Sequence, residues 1–412
     1  MAASDLLVLG VFATVYLGMI LGGLPRLHLD RTGVALLGAI AIVGAGVMTP
    51  EQAARAVHLP TMLLLFSFMV ISAQMRLGGF YSWVTRRVAS LAIGPAALLA
   101  VVIAVVALLS AVFSNDIVCL AVAPLLADAC LRRGLDPVPY LLALACAANI
   151  GSAATLIGNP QNMLIGQQLQ LGFGAYLAEA ALPVGLGLVA LWALLARSQR
   201  GGAGAEAAVP LPQAVEDEPV FDRWQTAKGL AVALVLVAVF LGTDWPQDVA
   251  ALVGAGLLLL SQRFHSSKVM GLIDWELLIL FIGLFIVNAA LAQTGLTARG
   301  VEALAAAGID LGAPAPLFAG TLLLSNLVSN VPAVMLLLPV AQGAHAGPTL
   351  ALVSTLAGNL LVVGSIANII VVDAARRSGI AIDWKRHART GVPVTLVTLT
   401  ITAGWLAWRH AG

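Results

Sequence analysis

Phe113–Pro124, FSNDIVCLAVAP, sets a Ser, an Asn and an Asp side by side inside an otherwise apolar run. An ionised carboxylate at that depth costs several kcal/mol unless something compensates it. The pattern returns later in the chain. Asn115 and Pro124 are nine residues apart, and so are Asn330 and Pro339 in SNVPAVMLLLP. A second pair follows each stretch. GNPQN (Gly158 to Asn162) and GSIAN (Gly364 to Asn368) share a Gly–Asn spacing of four, with Asn149 upstream of the first and Asn359 upstream of the second. Leu-rich helices share Leu and Val by chance; Asn, Ser, Gly and Pro in one order point to an internal duplication.

The solvent for these motifs is lipid. Of 412 residues, 60% are hydrophobic and 10% charged, where a soluble domain carries about 25% charged residues. Apolar runs near the ~20 residues that span a bilayer recur throughout. The first stretch lacks the basic start and cleavage site of a secretory signal and reads as a retained helix. A net charge of +1, with no basic tract and no phosphate-binding Gly-rich loop, gives no sign of nucleic acid or of a nucleotide motor. Cys119, Cys130 and Cys146 lie in apolar runs and form no disulfide framework. Cys119 and Cys146 flank the Asn115 and Asn149 region, but tight thiolate capture of a thiophilic solute would obstruct its release.

The expected organisation is an all-α polytopic membrane protein with a first repeat over 1–196, a cytoplasmic linker over 197–226 and a second repeat over 227–412. Pro316 to Ala341 spans 26 residues, so each arm of a hairpin there is about 20 Å long, too short to cross a core of about 30 Å twice. It is expected to be re-entrant, with SNLVSN at its tip. By symmetry 96–130 is also a hairpin, with Ser114, Asn115 and Asp116 at the tip. Broken helices are expected over 138–164 and 348–373, where Gly, Pro and Asn cluster. Five crossing helices plus one hairpin per repeat invert the second repeat relative to the first. Arg26, Arg31, Arg76, Arg86, Arg87, Arg132, Arg133, Arg197, Arg200, Arg263, Lys268 and the basic run over 376–389 fall on one side. The loops 166–176, 242–248 and 342–347 carry no Lys or Arg; Arg55 and Arg299 are the exceptions to the asymmetry, each with an acid nearby. The basic side is then cytoplasmic, and both termini are extracytoplasmic, in a cell (inner) membrane.

Irregular backbone inside a membrane is tolerated where it is buried or lines a cavity. Two hairpin tips and two broken helices converging near the midplane make a secondary-transporter site. At these motifs the chain resembles the ion transporter superfamily, which includes sodium/dicarboxylate symporters, citrate transporters, arsenite permeases and silicon efflux transporters. The resemblance covers nearly the whole chain. It implies an elevator-type, homodimeric transporter with scaffold and transport domains. It also implies binding residues Ser114, Asn115, Asn149, Gly158, Asn159, Asn162, Ser329, Asn330, Asn359, Gly364 and Asn368, with a possible sodium ion at the Asn115 and Asn330 tips. The dicarboxylate symporters have Ser-Asn-Thr at both tips. Here Asp116 and Val331 take the third place, which is more similar to the arsenite and silicon exporters. With no Lys or Arg at either tip or break, a dianion beside Asp116 would be repelled. Asp116 therefore reads as the coupling residue for H+ or Na+, and no other cofactor or metal is expected.

The expected function is ion-coupled transport of a small anion or weak acid, by proton antiport. A sodium-coupled citrate or dicarboxylate symporter is the alternative, and an ion channel is the alternative from another class. A channel would carry a ring of like charges or a carbonyl filter, which the sequence lacks. An enzyme is not expected, since the six His fall mainly in loops and no nucleophile–base pair lies within the apolar runs.

Overall fold

The computed structural model describes residues 3–24, 27–200, 220–261, 263–341, 343 and 345–411. Arg26 and most of the expected linker, residues 201–219, lie outside these. Twenty α-helices account for most of the described chain. The first ten are α1 (Ala3–Leu21), α2 (Arg31–Gly44), α3 (Pro50–Ala56), α4 (Leu59–Leu77), α5 (Phe80–Ala89), α6 (Pro95–Val112), α7 (Asn115–Arg132), α8 (Pro137–Ser152), α9 (Pro160–Gln168) and α10 (Phe173–Arg200). The next ten are α11 (Arg223–Gly242), α12 (Gln247–Leu259), α13 (Ser266–Met270), α14 (Trp275–Gln293), α15 (Leu296–Ala306), α16 (Pro314–Val328), α17 (Asn330–Leu337), α18 (Ala346–Ala357), α19 (Ile366–Arg377) and α20 (Trp384–Ala411). Helix thus enters the 197–226 stretch from both ends.

The two series run in parallel. Helices α4 and α14 have 19 residues each. Both lead through a left-handed glycine, Gly79 at φ 69° and Gly295 at φ 72°, into a short amphipathic helix. Only glycine takes that backbone without strain. Helices α10 and α20 have 28 residues each and carry an internal proline, Pro183 and Pro393. Proline also opens α3, α6, α8, α9 and α16, where its missing N–H costs nothing.

Among the described residues, seven helices are long and apolar enough to cross a membrane, and six further apolar helices have 10–17 residues. The chain is an integral membrane protein. Where hairpins are expected, the chain forms helix–break–helix units of unequal reach. Arms α6 and α7 have 18 residues each, about 27 Å, while α16 has 15 and α17 has 8, extended by one 3-10 turn. The first unit is therefore longer than the arms inferred from the second. The long perimeter helices α1 and α10 expose apolar side chains such as Leu6, Leu17 and Val189. The broken pieces lie at the centre, with α8 buried along its length apart from Pro139 and α18 apart from Pro348. Helices that are apolar all round belong in such a core. Close crossings at small residues hold them. A methyl on Gly151 would strike the Ala107 backbone of α6, and one on Gly283 would strike the Ala35 backbone of α2.

Candidate functional site

Helix α8 stops at Ser152 and α9 starts at Pro160; α18 stops at Ala357 and α19 starts at Ile366. Each break leaves backbone carbonyls without helical partners, and one Asn in each half takes them up. Asn162 Nδ2 donates to the carbonyls of Thr155 (2.9 Å) and Ser152 (3.5 Å). Asn368 Nδ2 donates to those of Leu361 (3.1 Å) and Gly358 (2.8 Å). Adding 206 to each number of the first set gives the second. The glycines obey the same offset: a Cβ on Gly158 would strike the Ser152 carbonyl, and one on Gly364 would come within 3.1 Å of the Gly358 carbonyl.

The halves also bond across to each other under that offset. Asn159 Nδ2 donates to Thr355 Oγ1 (3.3 Å), and its counterpart Ser365 Oγ donates to Asn149 Oδ1 (2.9 Å). Thr355 Oγ1 donates to Asn162 Oδ1 (3.3 Å), and its counterpart Asn149 Nδ2 donates to Asn368 Oδ1 (3.1 Å). The register therefore pairs Asn149 with Thr355, not with Asn359 as the order of asparagines suggests. Asn359 has its own place, accepting from Asn149 Nδ2 through Oδ1 at 2.9 Å.

The first hairpin tip joins this network. Asn115 N donates to the Gly158 carbonyl (3.2 Å), and Asn115 Nδ2 donates to Asn149 Oδ1 (3.3 Å). The second tip arrives by packing, with Asn330 Nδ2 lying 3.2 Å from where a Gly358 Cβ would sit. Asn115, Asn149, Asn159, Asn162, Asn330, Asn359 and Asn368 are all buried, as is Gly364. Ser329 turns the second tip at φ 78°, ψ 161°, a region that costs a non-glycine residue about 1–3 kcal/mol and that clusters at functional sites. Ser114 turns the first in an ordinary conformation and makes no capping bond. Asp116 follows in the first turn of α7, half-buried. The charged group whose field reaches it is another acid, Asp274, the N-cap of α14. A capping role for the Asp116 carboxylate finds no bond among the described residues.

Four buried amide atoms in this centre have no hydrogen-bond partner: Asn115 Oδ1, Asn326 Oδ1, Asn330 Oδ1 and Asn359 Nδ2. Three are acceptors, Asn115 Oδ1 at the first tip and Asn326 Oδ1 and Asn330 Oδ1 at the second. They are free to receive O–H donors or a hard cation. Sequence reasoning missed Ser152, Thr355, Ser365 and Gln161, whose Nε2 donates to Thr355 Oγ1 at 3.1 Å. It also missed His387, a buried side chain of α20, not a loop residue, whose Nε2 donates to the Asn359 carbonyl at 3.1 Å. The Asn159–Thr355 and Asn149–Asn368 bonds bring the two broken helices side by side.

Comparison with known proteins follows the same lines. Residues 16–357 match the CitMHS family, described as citrate transporter. An uncharacterized transporter of Mycobacterium tuberculosis is 30% identical over 417 residues, taking in 93% of this chain and 95% of that protein. The silicon efflux transporter LSI3 of Oryza sativa subsp. japonica is 29% identical over 468 residues, 95% of each chain. Among solved structures, the Alcanivorax borkumensis YdaH transporter is similar with a TM-score of 0.58 at 15% identity, covering 100% of this chain and 99% of that one. At that identity the likeness is one of fold.

Proposed function

Because this chain belongs to the citrate transporter family, we propose that it is a secondary active transporter moving a small inorganic weak acid or oxyanion, of the arsenite or silicate type, in exchange for protons. The observation that carries this reading is the set of unpartnered acceptors, Asn115 Oδ1 at one tip and Asn326 Oδ1 and Asn330 Oδ1 at the other, with Asp116 next to Asn115 and itself in the field of a second acid, Asp274. An uncharged hydroxy acid brings O–H donors to those acceptors. A fully deprotonated citrate brings carboxylates instead. Two like charges 4 Å apart repel by about 4 kcal/mol at an effective dielectric of 20, enough to cost about a thousandfold in affinity. The similarity to a silicon efflux transporter supports the same solute class.

In this reading Asp116 is the coupling residue, and Ser114, Asn149, Gly158, Asn159, Asn162, Ser329, Asn359, Gly364 and Asn368 shape the site around the two tips. Residues 1–196 and 227–412 are two inverted-topology repeats, and the parallel helix series and the constant offset of 206 support this. The hairpins are re-entrant and travel with the broken helices as the transport domain of an elevator, against a scaffold that forms a homodimer. The protein sits in the cell (inner) membrane with both termini extracytoplasmic.

A second reading is favoured by the family's own description. Sodium could sit on the same Asn oxygens and bring citrate with it. Purified protein in liposomes separates the two. Under an imposed pH gradient, arsenite or silicic acid should accumulate saturably, with no response to a sodium gradient. Sodium-driven citrate uptake without movement of either inorganic acid would overturn the proposal.

A further inference from the structure

Two of the three loops without Lys or Arg border an open cavity of about 750 Å³, between the α9–α10 turn, the start of α4 and the α11–α12 loop. Gln167, Gln170, Thr243, Asp244, Trp245 and Asp248 give it polar walls, and no Lys, Arg or His lines it. The nearest imidazole in charge range is His58, outside the lining, whose ring Nδ1 pairs with Thr61 Oγ1 at 2.9 Å. Burial holds His58 below its usual titration range, with Asp248 opposing, so near neutral pH it brings no positive charge to offset the two aspartates.

The cavity is one short helix from the central site. Helix α9 starts at the Asn159 cap and Asn162, and ends against the cavity with Gln167, five residues beyond Asn162 and about 7.5 Å along the axis. Gln167 is buried, and its Nε2 reaches Gln247 Oε1 across the cavity wall at 3.5 Å. The opposite wall is tied to the site as well. Helix α10 begins with the lining residues Phe173–Ala175, and Tyr176 next to them donates to the Ala153 carbonyl (2.7 Å) and accepts from Asn162 Nδ2 (3.3 Å). Gln170 holds the turn at φ 50°, an uncommon conformation for a residue with a side chain.

We infer that this cavity is the antechamber of the transport path on the face poor in Lys and Arg, and that Asp244 and Asp248 make it a filter that admits uncharged hydroxyl-bearing solutes and cations and turns anions away. The inference deepens the proposed function and rests on it for the identity of the solute, though not for the filter. A cleft lined by one sign of charge enriches counter-ions and depletes co-ions. Gln and Thr offer neutral hydrogen bonds to a solute that passes. Citrate would meet two carboxylates before it met the central site.

The test uses the full chain in liposomes with Gln247→Cys in the cavity wall, since the three native cysteines are buried. Modification by a cationic methanethiosulfonate should outpace that by an anionic one by about tenfold or more, after correction for their rates with a free thiol. Adding Asp244→Asn and Asp248→Asn should collapse that ratio towards one. Full modification of Gln247→Cys should stop solute flux through this face. A ratio indifferent to the two aspartates would overturn the filter, and undiminished flux in fully modified protein would remove the cavity from the path. The charge ratio is read without any transported solute, so a wrong assignment of substrate leaves it standing and is recognised separately.

Discussion

Asn149 and Asn115 are neighbours with opposite duties, and alanine at each should separate them. Asn149 serves four partners: it accepts from Asn115 and Ser365 and donates to Asn359 and Asn368. A buried polar group left without a partner costs about 1–3 kcal/mol. Asn149→Ala should therefore destabilise the protein by about 3 kcal/mol or more and lower the thermal unfolding midpoint in detergent. Asn115→Ala loses one long side-chain bond, while its Oδ1 had no partner to lose. It should cost about 1 kcal/mol or less yet abolish transport. Equal destabilisation by the two would show that Asn115 is structural. Asp116→Asn keeps the shape of the side chain and fixes it neutral. It should retain substrate binding and solute-for-solute exchange but lose accumulation driven by a pH gradient, and gradient-driven uptake equal to wild type would remove Asp116 from coupling. His387 belongs to this scale too, because its bond to the Asn359 carbonyl fixes the first turn of the second break.

Breaks and crossings are what the helices contribute, and glycine marks both. Gly151 lets α8 lie against the Ala107 backbone of α6, the first arm of the hairpin that carries Asn115. Gly151→Ala should force the two helices apart at a cost of about 1–3 kcal/mol and cut transport by moving the tip. Gly185 in α10 has open space where a Cβ would go, so Gly185→Ala should be neutral or stabilise by about 0.5–1 kcal/mol. Matching thermal midpoints for the two variants would show that the α6–α8 crossing is loose. The breaks were legible in the sequence because Gly158, Pro160 and the asparagines cannot continue an apolar helix, and both tips were legible for the same reason. Thr355 and Ser365 were not. A hydroxyl in an apolar helix usually bonds its own backbone one turn back, as Thr321 and Thr398 do here, so nothing local marks one that reaches across 193 to 216 residues. His387 was hidden likewise, since 28 residues and a helix–helix contact separate it from Asn359. The offset of 206 was masked by Asn359, which offered a false partner for Asn149 in one dimension.

At the scale of the molecule the polar contacts sort the loops into two groups. Arg133 donates to the carbonyls of Ala89, Leu91 and Ile93, Arg386 pairs with Asp136, and Asp222 pairs with Arg263. These contacts tie the basic segments to one another. Gln167 meets Gln247 between two of the loops without Lys or Arg, and Arg409 near the end of α20 is paired with Glu179 near the start of α10, following one of those loops. Arg409, with Arg55 and Arg299, is outnumbered by the Lys and Arg of the first group, so the asymmetry stays intact. The excess of Lys and Arg lies on one face, and under the proposed orientation the positive-inside rule makes that face cytoplasmic. Exposed positions allow this to be tested without removing the native cysteines, since Cys119, Cys130 and Cys146 are buried. Gln168, exposed at the end of α9, and Ser266, exposed at the start of α13, lie one in each group. In intact cells a membrane-impermeant maleimide should label Gln168→Cys and spare Ser266→Cys until the membrane is opened. Labelling of Ser266→Cys alone in intact cells would turn the molecule over, put both termini in the cytoplasm and place the aspartate-lined antechamber on the inner side of the path.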